Sequence, residues 1–233
     1  MTAPGTSPDH RPSRPPGGTV PPYTGLAARR PRHAPVPLPL DPDAVELGGP
    51  VFGSADLGPY DDDLTRQHTG EPLGQRITLH GRVTDRRGRP VRGQLVEVWQ
   101  ANAAGRYAHP ADRNPAPLDP HFTGAGRCLT DAEGRYRFTT VRPGPYPVPG
   151  PGDWWRPAHV HFSLFGTDFT QRLVTQMYFA GDPLLGQDAI LAAVPDPAAR
   201  RRLLAVPDPA EGCAFRWDVV LDGPYATWRE GER

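Results

Sequence analysis

From Arg76 onward the chain alternates apolar and polar residues with a period of two, which commits it to sheet rather than helix. In RITLHGRVTD, Ile77, Leu79 and Val83 share one face, while Thr78, His80, Arg82 and Thr84 share the other. RRGRP reads as a turn, and GQLVEVWQ follows as a strand apolar on both faces, as expected deep in a sheet. GRCLTDAEGRYRF gives a strand, a DAEG turn and a strand with Tyr136 and Phe138 on one face. AHVHFSLF, QRLVTQMYF and FRWDVVLDG complete the set, the last alternating Phe215, Trp217, Val219 and Leu221. Only DPLLGQDAILAAV and PDPAARRRLLAV have helical spacing, and both are short. Short strands separated by Gly/Pro-rich turns predict an all-β fold, an antiparallel β-sandwich with a few short helices, over residues 76–233.

The remainder of the chain follows a different rule. Of its 32 prolines, 13 fall within the first 50 positions, where neither period appears. Residues 1–21 are expected to form a disordered tail, since such a stretch cannot bury a core. Residues 22–75 are expected as an extended proline-rich arm and loops, the apolar residues of TGLAARRPRHAPVPLPLDPDAV suiting an arm laid on another surface. Basic and acidic residues balance at 26 each, which leaves no positive field for nucleic acid or a membrane surface. No run reaches the roughly 18 apolar residues of a membrane span, and the first residues lack a leader's apolar stretch. Cys128 and Cys213 stand outside any CxxC pattern and read as free thiols of a cytoplasmic protein.

The chemistry concentrates in RPAHVHF. On a strand, His159 and His161 project to one face while Val160, Phe162 and Leu164 project to the other. Two imidazoles so placed make a bidentate metal platform, although many such pairs are only the polar face of a half-solvated strand. Arg156, three residues upstream, would suit an anionic ligand or developing negative charge. With no Glu at a suitable spacing and no zinc pattern, tyrosines are the remaining oxygen donors. Tyr146 lies between prolines in PGPYP, and Tyr107 lies in the loop ANAAGRY. A phenol binds as phenolate only to a strongly Lewis-acidic ion, which favours ferric iron over magnesium or calcium. Spacing alone does not select these two tyrosines from the seven in the chain.

VEVWQANAAGRY, APLDPHFTGAGRCLTDAEGRYRF, RPGPYP, DWWRPAHVHFSL and TQMYFAGDPL, in this order and spacing, resemble the intradiol ring-cleavage dioxygenases. The resemblance runs from about Tyr23 to Leu221 and is to the branch whose β subunits act on protocatechuate. It implies a non-haem Fe(III) held by Tyr107, Tyr146, His159 and His161. It further implies that Tyr146 and Arg156 act in catalysis, Arg156 stabilising negative charge on the bound catecholate. Tyr23, Trp99, Gln176 and Ile190 correspond to substrate-binding positions, Tyr23 reaching the site from the arm. One position departs from the family's pattern: Val148 stands where a tryptophan is usual, two residues after Tyr146.

The implied reaction is intradiol cleavage of protocatechuate by O2 to 3-carboxy-cis,cis-muconate, in aromatic compound degradation. The implied partner is a homologous α subunit in an αβ hetero-oligomer. Catechol and hydroxyquinol are the alternative substrates within the family, though relatives acting on these usually begin with a helical dimerisation region. GRVTDRRGRPVRGQLVEVW with TDAEGRYRF also resembles transthyretin-like binding modules, which would need neither RPAHVHF nor PGPYP.

Overall fold

The computed structural model describes residues 57–148, 154–165 and 172–230; the tail, most of the arm and Tyr23 lie outside the described residues. The period-two run forms β1 (Arg76–Thr84), with Ile77, Leu79 and Val83 each 1 % exposed or less. β1 pairs antiparallel with β4 (Arg135–Val141) and parallel with β10 (Ala214–Arg216) and β11 (Val219–Val220). A second set runs β3 (Ala125–Leu129), β2 (Leu95–Trp99), β7 (His159–Phe165) and β8 (Arg172–Phe179), antiparallel throughout. Between the two sets Tyr136 and Phe138 meet Phe162, which also packs on Trp217. This is the sandwich expected from the sequence. Its aromatic contacts add about 0.5–1.5 kcal/mol each to the burial of the rings.

Two seams join the faces. β9 (Leu204–Asp208) pairs antiparallel with β10 through Val206, Pro207 and Asp208, and parallel with β8 through Leu204 and Ala205. At the other side residues 61–64 lie between β3 and β4. Arg127 N donates to Asp61 O (2.8 Å), Thr139 N to Asp62 O (2.9 Å) and Leu64 N to Thr139 O (2.9 Å). Leu64 is fully buried there, so the sheet nearly closes on itself. The DAEG turn accordingly does not make a hairpin; it carries the chain from β3 on one face to β4 on the other.

Both helical stretches form, and an aspartate opens each. Asp188 caps α1 (Ala189–Ala192), after a 3-10 turn at Leu185–Gln187, and Asp196 caps α2 (Pro197–Arg202). The helical spacing had run on to Val206. The structure stops it at Leu203, because Leu204 and Ala205 gain more by pairing with β8 and burying Ala205. FRWDVVLDG likewise breaks at Trp217–Asp218. The Trp217 carbonyl turns toward Gly81, where a Cβ would lie 1.7 Å away, and accepts the Tyr136 hydroxyl at 2.6 Å. The Asp218 side chain replaces the missing backbone acceptor, taking Arg82 N–H at 2.9 Å.

Candidate metal centre

β7 supplies the platform. His159 and His161 stand on one face with ring centroids 5.0 Å apart, and Val160, Phe162 and Leu164 are sealed into the core on the other. The Nδ1 of His159 lies 2.8 Å from the Pro157 carbonyl, so that nitrogen carries the proton and Nε2 keeps its lone pair. Burial, the Arg156 charge and neighbouring His161 all hold the pKa of His159 well below the ordinary imidazole value. It is therefore a neutral ligand-ready ring at physiological pH.

The tyrosines arrive on two interlocked loops. β5 (Tyr146–Val148) and β6 (Trp154–Arg156) form a two-stranded ribbon whose register sets Tyr146 directly opposite Arg156, and Val148 opposite Trp154. The loop after β2 is organised by Asn102, whose side-chain oxygen accepts Ala104 N and Arg106 N, both at 2.9 Å. Gly105 in that loop has φ +82°, and a Cβ there would lie 2.2 Å from the Pro145 carbonyl. Only glycine lets the two loops approach so closely. The result is an edge-to-face pair, Tyr107 and Tyr146, with centroids 5.6 Å apart. Tyr107 lies 6.3 Å from His161, and Tyr146 lies 5.4 Å from His159.

Arg156 is the fixed charge of the cluster. Its Nε donates to Asp188 Oδ2 at 3.1 Å. One terminal nitrogen faces Tyr146 Oη (3.3 Å) and His159 Nε2 (3.0 Å); the other donates to the Gln176 side-chain oxygen and to Tyr178 Oη (3.0 Å). Each of its five N–H bonds has an acceptor. Burial works against this cation, but Tyr178, Asp188 and Tyr146 outweigh it and raise its pKa.

Eight of the nine site residues expected from the sequence are described. Tyr107, Tyr146, Arg156, His159, His161 and Gln176 converge. Trp99, opposite His161 in the β2–β7 register, stacks on that ring at 4.9 Å and 3°. Ile190 is buried at the start of α1, tied to Arg156 through Asp188. Sequence reasoning missed Asp188, Tyr178 and Glu230. Tyr178 was within reach of the period-two rule, since it shares the strand face of Gln176. Asp188 carried only a helix-cap signal, and nothing local marked Glu230.

Among the described residues no group of three or more His, Cys, Asp or Glu side chains converges, and the phenolic oxygens of Tyr107 and Tyr146 are the further donors beside the two histidines. The Tyr107 hydroxyl is buried and makes no hydrogen bond of ordinary geometry among the described residues. Burial, reinforced by Tyr146, pushes its pKa well above the usual phenol value. A buried hydroxyl without a partner costs about 1–3 kcal/mol, a cost that coordination to a cation would remove. The four residues fit a hard, strongly Lewis-acidic ion. A separate groove of about 610 Å³ on the β1–β4–β10 face is lined by charged side chains, among which Arg137–Glu211 and Arg216–Asp218 pair at 2.6 Å.

A family model described as Dioxygenase matches residues 47–223. The protocatechuate 3,4-dioxygenase beta chain of Burkholderia cepacia is 54 % identical over 197 residues, covering 82 % of this chain and 83 % of that one. Chlorocatechol 1,2-dioxygenase of Rhodococcus opacus is 31 % identical, covering 64 % and 65 %. The crystal structure of 3-chlorocatechol 1,2-dioxygenase from Rhodococcus opacus 1CP superposes with a TM-score of 0.55 at 27 % identity, covering 74 % of this chain and 69 % of that one. No helix among the described residues is long and apolar enough to cross a membrane.

Proposed function

Because the chain belongs to the intradiol dioxygenase family, we propose that it cleaves protocatechuate with O2 to 3-carboxy-cis,cis-muconate at a non-haem Fe(III) site. Tyr107, Tyr146, His159 and His161 would hold the ion. The observation that carries the reading is the convergence of these four side chains, with the buried Tyr107 hydroxyl making no hydrogen bond of ordinary geometry among the described residues. A bound ferric ion would supply Lewis acidity, lowering the pKa of the catechol hydroxyls it binds.

The chain's own residues supply the rest. Tyr146 Oη would accept a catechol hydroxyl proton as a phenolate, and Arg156, 3.3 Å from that oxygen, would favour its anionic form. The same guanidinium, fixed on its other sides by Asp188, Gln176 and Tyr178, stabilises negative charge on the ring. Such a preorganised donor is worth about 3–4 kcal/mol of barrier. Trp99 holds the His161 plane, and Ile190 contributes apolar wall that excludes water. Tyr23 and Val148 are assigned to substrate contact and pocket shape.

The similar Burkholderia chain is named as a beta chain, which supports pairing here with a homologous α subunit in an αβ hetero-oligomer. A cytoplasmic location is supported by Cys128 and Cys213, both free thiols. The test is oxygen uptake with protocatechuate, catechol, chlorocatechol and hydroxyquinol, with and without a co-produced α chain. Uptake with protocatechuate that depends on the α chain is the expected result. Uptake with catechol or hydroxyquinol alone would reassign the substrate, and a colourless, iron-free chain inert to all of them would reject the catalytic reading.

A further inference from the structure

Resting on that reading of the site, we infer that Glu230 is a positioning residue that fixes His161 and Gln176 together. The segment reaching it is stitched down by its backbone. Thr227 N donates to Val220 O at 2.8 Å, Val220 N donates to Thr227 Oγ1 at 3.0 Å, and Glu230 N donates to Val174 O at 2.8 Å. Trp228 packs against the core between these anchors. The Glu230 side chain is thereby delivered behind the β7–β8 face, largely out of solvent.

There a single oxygen does two things. Glu230 Oε1 lies 3.5 Å from His161 Nδ1 and accepts a hydrogen bond from the Gln176 amide nitrogen. The first contact is at ion-pair distance, and the carboxylate charge beside Nδ1 favours the tautomer with its proton there, leaving Nε2 as the electron-pair donor. The second sets the amide's orientation: with its NH2 on Glu230, the Gln176 oxygen must face Arg156 and Tyr178, as it does. The two histidines are thus held differently. His159 leans on the neutral Pro157 carbonyl, whereas His161 leans on a carboxylate, which raises the basicity of the ring it supports. One acidic side chain distant in sequence therefore controls a ligand of the metal and the partner of the charge-stabilising arginine.

The experiment compares the full chain, co-produced with its α partner, with its E230Q and E230A variants. Ferric loss to a competing chelator and the position of the phenolate-to-iron absorption band are read beside the thermal midpoint. Loss of the outer carboxylate should speed ferric release about 10–100-fold and shift the band. E230Q, which keeps its backbone anchor and one acceptor oxygen, should fall between the other two at a near-native midpoint. Release and band position unchanged in both variants would overturn the inference. Faster release that only tracks a lowered midpoint, with the band unmoved, would also overturn it by showing a purely structural role. A wild-type complex that takes up no ferric ion would reject the metal site itself, before any variant is compared.

Discussion

Asp188 and Arg156 meet at 3.1 Å with both side chains sealed from solvent, and Asp188 divides its oxygens between two tasks. Oδ2 receives the guanidinium, while Oδ1 accepts Ile190 N at 2.7 Å and Leu191 N at 3.0 Å. Asparagine has one acceptor oxygen and cannot serve both. Asp188→Asn should cost about 3 kcal/mol, as expected for a buried pair that loses one charge. Urea unfolding measures this, and turnover should fall more than unfolding accounts for, since Arg156 loses its anchor. A variant of wild-type stability and rate would contradict the assigned role.

Tyr107 offers a trade between stability and function. Removing a buried hydroxyl that makes no hydrogen bond of ordinary geometry among the described residues should stabilise the iron-free chain, by about 1 kcal/mol for Tyr107→Phe. The same change should weaken ferric binding and abolish most turnover. Tyr146→Phe should also lose turnover, but without the gain in stability, because the Tyr146 hydroxyl faces Arg156 and His159. Denaturant midpoints of the iron-free proteins, set beside iron content, separate the two cases.

Gly105→Ala is expected to push apart the two tyrosine loops. The alanine would need φ near +82° and a Cβ 2.2 Å from the Pro145 carbonyl. A loss of about 1–3 kcal/mol is expected from backbone strain alone. The displaced Tyr107 should show as a weakened ferric absorption band, whereas a native band at native intensity would contradict the tight fit.

His159 gives the iron-free chain an acid sensitivity. Its folded pKa lies well below the ordinary imidazole value of about 6.5, so at lower pH the unfolded chain binds a proton that the folded chain does not. Stability therefore rises with pH in this window and is lost as pH falls below about 6.5, by up to ~1.4 kcal/mol per unit. Unfolding of iron-free wild type and His159→Gln across that range tests it; the variant's slope should be flatter.

Most of the sandwich was legible because alternation is a local property: Ile77, Leu79 and Val83 announce their own burial. The HxH pair was legible for the same reason, since period two fixes a shared face without any tertiary information. Three features were not. The halt of α2 before Leu204 depends on a partner strand far away in sequence. The break at Trp217 depends on Gly81 and Tyr136 together. Glu230 depends on where the last described segment returns, and nothing in its own neighbourhood records that. The tyrosines lay between these cases: only the likeness to a family drew Tyr107 and Tyr146 from among seven, and the geometry then showed them side by side.

The strip at residues 61–64 has a consequence for where this chain can be cut. It uses the outer hydrogen-bonding groups of β3 at Arg127 and of β4 at Thr139, on opposite faces of the molecule. A fragment begun at Arg76 would keep every strand from β1 to β11 yet uncover two raw sheet margins, each a template for other chains. Those residues behave as the hem of the fabric. Without them the weave is complete, but it is free to catch on its neighbours.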